Sequence, residues 1–333
     1  MKALLLVLFS LLSGPGRAFV CENRGPNVIL LTWDGVRSEE FFKGTGLFHN
    51  AQLAKSERGE IFKKFWSKYS GQGVVLGKKK NFKIGSDVAV SLPSYQALMT
   101  GHSTDCRKNN CPNLTEPSFL ESVKSGLGLE KKDVAMFASW DKMNAAAAKD
   151  LSAISHGIYP ETFNDGSADP VIEKLQSEAL RDLPEWHGSR KDKYTFDLGM
   201  HYLKKHCPRL LYISLVDSDE FGHRKNYPGY VTALRTYDDY LEQLMTTLEE
   251  LGEYGKNTTL LLTTDHSRGA GPLWYDHAIT PNSEKNVFFY AFGRGIKAQG
   301  ISKEGGSHLQ IKATIESLMG LPASGEILPI VKP

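Results

Sequence analysis

Charge of one sign is what this sequence most lacks. Its 40 Lys and Arg are balanced by 38 Asp and Glu, for a formal net charge of +2 over 333 residues. A dedicated nucleic-acid binder concentrates basic charge on one face, and the only dense basic cluster here is Lys78-Lys79-Lys80, which reads as a solvated loop. Long hydrophobic runs are missing too. The run from Leu4 to Leu12 is broken by Ser10 and is too short to span a bilayer. With Lys2 before it and Gly16-Arg17-Ala18 after it, it is expected to be a cleaved signal peptide over residues 1–18. The C-terminal Ile327–Pro333 segment has no hydrophobic tail of the kind a glycolipid anchor requires. There is no internal repeat and no low-complexity linker, so residues 19–333 are expected to form one domain. Cysteine is scarce: Cys21, Cys106, Cys111 and Cys207 lack zinc-finger spacing. In the secreted or periplasmic setting that a signal peptide implies, they are expected to pair as disulfides, Cys106 and Cys111 being nearest in sequence. Asn113-Leu114-Thr115 and Asn257-Thr258-Thr259 are glycosylation sequons.

What is present is an alternation of apolar, β-rich runs with helical patterns. Val28–Trp33, Asp133–Ala138, Leu210–Val216, Thr259–Thr264 and Val287–Phe292 are near-continuous apolar runs, as strands buried on both faces should be. Leu92–Thr100, Ser118–Ser125, Pro170–Leu180, Phe196–Lys205, Tyr230–Leu251 and Gln310–Met319 read as helices between and around them. The pattern predicts an α/β fold with parallel strands and helices on both faces. Gly71–Lys83, rich in Gly and Lys, is expected to be an exposed loop.

Three carboxylates fall just past the ends of three of these strands: Asp34, Asp219 and Asp265. In open α/β sheets, ligands bind outside the carboxyl ends of the strands. Two of the three are accompanied by histidine, in Asp219-Glu220-Phe221-Gly222-His223 and in Asp265-His266, and His277 follows in Trp274-Tyr275-Asp276-His277. Any one of these residues alone would be an ordinary turn or surface residue. Together they form a mixed oxygen and nitrogen donor set, which suits zinc, whereas calcium or magnesium favours oxygen alone. Ser91 lies where a strand-like stretch, Asp87–Val90, gives way to a helical pattern. Such a serine is either a helix cap or a hydroxyl set where free backbone N–H groups attract phosphate.

These segments, from Asn27 to about Leu321, resemble the alkaline phosphatase superfamily, with the nearest likeness to its nucleotide pyrophosphatase/phosphodiesterase-like branch. Asn27–Arg37 looks like the opening strand and first metal aspartate, and Ser91-Leu92-Pro93-Ser94-Tyr95 like the nucleophile segment, where that branch commonly has threonine. Asp219 to His223, Thr264-Asp265-His266 and His277 match its later ligand elements, and His308–Leu321 its last helix. The resemblance implies a three-layer α/β/α sandwich with a mostly parallel central sheet. It also implies two divalent metal ions, zinc foremost, although manganese takes the same donors. One ion would be held by Asp34, Ser91, Asp265 and His266, the other by Asp219, His223 and His277, with Asp217 as a supporting rival to Asp219. The implied chemistry is hydrolysis of a small-molecule, lipid or nucleotide phosphate ester through a phosphoserine on Ser91. Asn110, Arg37 and Arg268 are the candidate substrate contacts. Two alternatives stand beside this reading. One is a sulfatase of the same fold, whose Cys/Ser-x-Pro-x-Arg signature fails here at Tyr95. The other is a secreted binding protein on this scaffold, against which every expected ligand position is filled.

Overall fold

The computed structural model describes residues 21, 24–45, 56–161, 163, 169–278 and 284–332, and the expected signal peptide lies outside them. In chain order the first half runs β1 (Asn27–Trp33), α1 (Ser38–Lys43), α2 (Arg58–Ile61), β2 (Val74–Leu76), β3 (Phe82–Lys83), α3 (Ser91–Thr100), α4 (Phe119–Gly126), β4 (Val134–Ala138), α5 (Asn144–Ala147) and β5 (Ser155–Ile158). The second half runs α6 (Pro170–Arg181), α7 (Asp192–His206), β6 (Leu210–Leu215), α8 (Asp217–His223), α9 (Tyr227–Glu250), α10 (Glu253–Lys256), β7 (Thr258–Thr263), β8 (Phe289–Gly293), β9 (Gly300–Ile301), β10 (Gly306–Ser307) and α11 (Ile311–Leu318).

An eight-stranded sheet has the order β5-β4-β6-β1-β7-β8-β2-β9, and β3 pairs with β10 beside it. β1 is central and pairs in parallel with both β6 and β7, so its apolar side chains are covered on both faces. Because side chains alternate along a strand, Ile29, Leu31 and Trp33 join a core with residues of α1, α2, α7 and α9, while Val28 and Leu30 join a second core with residues of α3, α4 and α11. The result is the expected three-layer α/β/α sandwich. Local signals set the helix starts. Asp169 caps α6 ahead of Pro170, and Ser118 with Glu121 forms a reciprocal capping box at α4.

Three expectations need correction. β8 runs antiparallel to β7 rather than parallel. Among the described residues the connection between the two strands carries only a short helical turn at Gly271–Leu273 and no helix of the kind that usually links parallel neighbours. The Gly- and Lys-rich stretch is not all loop: Val74–Leu76 is a buried strand bonded to β8 and β9, while Gly71, Gln72, the Lys78–Lys80 turn and Lys83 are exposed. Asp87–Val90 is no strand but an irregular approach to α3. The cysteines pair as Cys21–Cys207 and Cys106–Cys111. No described helix is long and apolar enough to cross a membrane.

Candidate metal centre

Seven side chains named from the sequence converge at the carboxyl ends of β1, β6 and β7. Asp34 follows β1, Asp219 and His223 lie on α8 directly after β6, Asp265 and His266 follow β7, His277 comes from the loop between β7 and β8, and Ser91 opens α3. They divide into two groups. In the inner one, donor atoms of Asp34, Asp265 and His266 lie within 4.8 Å of one another and all three residues are buried. His266 Nε2 is 3.1 Å from Ser91 Oγ, 3.4 Å from Asp265 Oδ2 and 3.6 Å from Asp34 Oδ1. In the outer group, donor atoms of Asp219, His223 and His277 satisfy the same spacing, and the site opens toward solvent at His223. There His223 Nε2 is 3.0 Å from Asp219 Oδ2 and 3.2 Å from His277 Nε2.

Backbone chemistry fixes these positions. Gly35 stands at φ +65°, and a Cβ there would come within 2.2 Å of Asp219 Oδ1, so only glycine lets α8 approach the end of β1. Its N–H donates to Asp265 Oδ1 at 3.0 Å. Thr264 accepts from the Val36 N–H and donates to the His266 carbonyl, tying the β1 and β7 ends together. Ser218 donates to the Asp34 carbonyl at 2.5 Å, which ties in α8.

The donor set fits cations on three counts. First, Asp34 Oδ1 and Asp265 Oδ2 are buried without a hydrogen-bond partner among the described residues, an expensive arrangement unless a cation faces them. Second, the ring nitrogens are oriented for coordination. His266 Nδ1 meets the Ser267 carbonyl at 3.0 Å and His277 Nδ1 meets the Ala89 carbonyl at 2.6 Å, so each Nδ1 carries the proton and each Nε2 presents a lone pair to its group. Third, the titration of the ligands shows uncompensated charge. Burial, and then the Asp265 and Asp219 carboxylates, push Asp34 well above the usual carboxylate range. Burial and the Asp219 charge raise Asp265 to about 7. Burial lowers His266 to about 4, and burial with the neighbouring imidazoles lowers His277 to about 3, so both rings are neutral ligands at physiological pH. Asp219 differs. Burial alone would raise it, but Arg268 and His223 hold it well below its ordinary value, and Asp219 in turn raises His223.

Ser91 is not a helix cap: it is the first residue of α3, 3% exposed, and Val90 occupies the cap position without a side-chain bond. The expected cradle of free N–H groups is largely used up. The Leu92 N–H donates to Asn109 Oδ1, Pro93 has none, and the Ser94 N–H donates to the Val90 carbonyl. Asn109, next to the expected Asn110, is the asparagine that reaches the nucleophile helix, at 2.9 Å. Arg37 is also reassigned. It is buried in an ion pair with Glu40 at 2.6 Å, and Glu40 also accepts from the Tyr227 hydroxyl, so Arg37 braces α1 and does not face the site. Arg268 does belong to the site, where its guanidinium lies 2.8 Å from Asp219 Oδ1. Asp217 accepts the Asp192 N–H at 3.3 Å and lies in neither group. Sequence reasoning passed over Tyr95, whose hydroxyl opposes the rise of the Asp34 pKa and accepts from Ser214 Oγ at 3.4 Å. Its signal was the four-residue offset from Ser91, which places both on one face of α3.

Fold and site together describe two adjacent groups of candidate metal ligands beside a serine at the carboxyl edge of a mostly parallel sheet. Residues 188–323 match the family model of the Metalloenzyme superfamily, a span that includes Asp219, His223, Asp265, His266 and His277 and excludes Asp34 and Ser91. A phosphopentomutase from Carboxydothermus hydrogenoformans is 31% identical over 144 residues, covering 42% of this chain and 34% of that protein. The chain thus spans about a third of the length of the curated relatives it matches. Among solved structures, a phosphonate monoester hydrolase from Silicibacter pomeroyi superposes with a TM-score of 0.60 at 11% identity, covering 91% of this chain and 76% of the other. A sulfatase from Pseudoalteromonas sp. superposes with a TM-score of 0.55 at 15% identity, covering 90% and 68%. By sequence the chain is similar to the Metalloenzyme superfamily over residues 188–323, and the solved structures share its fold over 90% or more of its length.

Proposed function

We propose that the protein is a secreted or periplasmic hydrolase of phosphate esters that holds two zinc ions and works through Ser91. The observation that carries this reading is the meeting of Ser91 Oγ, His266 Nε2 and the partnerless oxygens of Asp34 and Asp265 in one buried cluster. Asp34, Asp265, His266 and Ser91 would hold one ion, and Asp219, His223 and His277 the other. Bound there, the ions would supply Lewis acidity to the entering and leaving oxygens of an in-line displacement.

The chain's own residues have defined tasks. Ser91 Oγ attacks phosphorus and becomes a phosphoserine, which water then hydrolyses. Ser91 Oγ lies 3.1 Å from His266 Nε2. With an ion held by both residues that lone pair would be taken, the serine hydroxyl would have a lowered pKa, and its proton would pass to water. Asn109 fixes the first turn of α3 and so the direction of Ser91. With the α3 N–H groups mostly engaged, the backbone contributes little to holding phosphate oxygens, and that load passes to the cation positions. Arg268 is spent on Asp219 and is a site residue without being a free phosphate clamp. The substrate enters from the outer group, the exposed side of the centre. Two disulfides support an oxidising compartment.

Sulfatase chemistry has the Ser91-Leu92-Pro93-Ser94 start in its favour, but the fifth position is Tyr95 and not arginine. A panel of aryl phosphate, bis-aryl phosphate and aryl sulfate, run with and without a chelator, tests the proposal. Phosphate-ester turnover should vanish on chelation, return with zinc, and fall in Ser91→Ala by about three orders of magnitude or more. Undiminished turnover in Ser91→Ala, or indifference to the chelator, overturns it; release of sulfate alone transfers the site to the sulfatase reading.

A further inference from the structure

The two cation positions do not carry the same charge. The inner group brings two carboxylates, Asp34 and Asp265, and one neutral imidazole. The outer group brings one carboxylate, Asp219, and that carboxylate is already paired with a cation of the chain. Arg268 is 1% exposed, and its Nη2 lies 2.8 Å from Asp219 Oδ1. The same nitrogen donates to the Asp219 carbonyl at 2.9 Å, while Nη1 donates to the Tyr275 carbonyl at 3.2 Å. Backbone carbonyls therefore hold the guanidinium, and it compensates the charge of Oδ1 without a directed hydrogen bond to that oxygen, which keeps no hydrogen-bond partner of its own.

The fold makes room for this arrangement. A Cβ at Gly222 would lie 2.5 Å from Arg268 Cζ and Nε, so the glycine of the Asp219–His223 turn is what admits the guanidinium. Arg268 Nε is buried without a partner among the described residues, which marks the side chain as held for its charge and reach at some cost in unmet hydrogen bonding. Asp219 Oδ1 is also 3.9 Å from His266 Nε2, so the compensated oxygen sits between the two groups.

We propose that Arg268 makes the two sites unequal: the inner site takes its divalent ion tightly, and the outer site takes a second ion weakly and exchanges it, because Arg268 already neutralises Asp219. Formal ligand charge is −2 for Asp34 with Asp265 and zero for Asp219 with Arg268, so a doubly charged ion gains far less at the outer position. The outer group is also the one open to water, which screens what attraction remains. Arg268 thus acts as a positioning and charge-setting residue, and it supplies a permanent positive charge beside the outer site when the second ion is away.

The inference rests on the two-ion reading above, and its test separates the two. Metal-free protein is titrated with Zn2+ alone by calorimetry, with the bound metal counted independently after gel filtration. Wild type should fill in two steps, the second at least about tenfold weaker than the first. Arg268→Gln should tighten the second step by about tenfold or more and leave the first nearly unchanged, while Arg268→Lys, which keeps the charge, should stay close to wild type. Asp265→Asn should remove the tight step and spare the weak one. Two equal steps in wild type overturn the proposal whether or not any variant folds, and so does a second step that Arg268→Gln leaves where it was. Binding of no zinc at all by wild type brings down the two-ion reading itself.

Discussion

Two clusters of buried carboxylates flank the carboxyl end of β6, and they differ in how their oxygens are satisfied. In one, Asp192 at the start of α7 accepts from Ser139 Oγ at 2.5 Å, Tyr237 Oη at 2.6 Å, the Asp217 N–H at 2.7 Å and the Val216 N–H at 2.8 Å. Asp217 returns the contact by accepting the Asp192 N–H. In the other, Asp34 and Asp265 each keep a buried oxygen with no hydrogen-bond partner among the described residues. Both clusters lie at the end of the same sheet and both are desolvated. The protein supplies every donor the first needs, which makes it a joint between α7, β6 and α8. It leaves the second incomplete, and that is the mark of a site waiting for a ligand. The difference lies in the donors rather than in burial: Asp192 is also pushed up by burial, but four hydrogen bonds pull against that push.

The comparison is broken most easily by exchanging charge for neutrality in each cluster. Asp192→Ala strips the acceptor from four buried donors and should destabilise the protein by about 3 kcal/mol or more. Because Asp192 holds the Val216–Asp217 corner, the α8 ligands Asp219 and His223 should lose their register as well. Asp265→Asn in metal-free protein should cost far less and could even stabilise, since it removes one of two mutually repelling buried charges. Urea denaturation of both metal-free variants measures the contrast. Equal losses would mean that the two clusters are both structural.

A smaller effect sharpens the same contrast through pH. Asp265 is raised to about 7 and Asp34 is raised well above its ordinary value, in both cases through burial first and neighbouring carboxylates second. Through these two carboxyls the folded metal-free protein binds more protons than the unfolded chain between about pH 4 and pH 7, a contribution to stability that is lost as pH rises. His266 and His277, lowered to about 4 and about 3, contribute with the opposite sign over the lower part of that window, so the carboxyl contribution is read as the difference between wild type and Asp265→Asn. Divalent cation should abolish the carboxyl loss, because the ion then takes the place of the protons. Melting temperature against pH, with and without zinc, tests this. A pH profile that is the same in metal-free wild type and Asp265→Asn would contradict the assignment of charge at the inner site.

Much of this centre was legible in the sequence because it sits where strands end. Apolar runs that stop at Asp34 and Asp265, and one that leads into Asp219, locate the carboxyl edge of the sheet, and the four-residue step from Asp219 to His223 places both on one turn of α8. The disulfide at Cys106–Cys111 followed from proximity. What escaped depends on contacts between distant segments. Which of Asn109 and Asn110 faces α3 depends on how the disulfide loop closes, which no local pattern encodes. The direction of β8 depends on the 25-residue connection from Thr264 to Phe288 carrying site residues in place of a crossover helix. Val74–Leu76 was masked by the Gly and Lys residues on either side of it, although β8 and β9 supply its pairing. Asp192 gave no signal, since an aspartate at a helix start is ordinary until its four donors are seen.

Tyr95 offers the finest test of how far the incomplete cluster is supported from within. Its hydroxyl opposes the rise that burial causes at Asp34, and it receives the Ser214 hydroxyl at 3.4 Å. Tyr95→Phe removes that one donor while keeping the ring that fills the core on this face of the sheet. Asp34 should then hold its proton still more firmly, so the pH-dependent loss of metal-free stability should move to higher pH. At neutral pH the variant should lose about 1 kcal/mol. Asp34→Asn should largely erase this difference, because the donor then no longer faces a charge. A double-mutant cycle of Tyr95→Phe with Asp34→Asn reads the coupling directly. Additive effects within about 0.3 kcal/mol would show that Tyr95 acts only as packing, and that the protein provides Asp34 with no internal support at all.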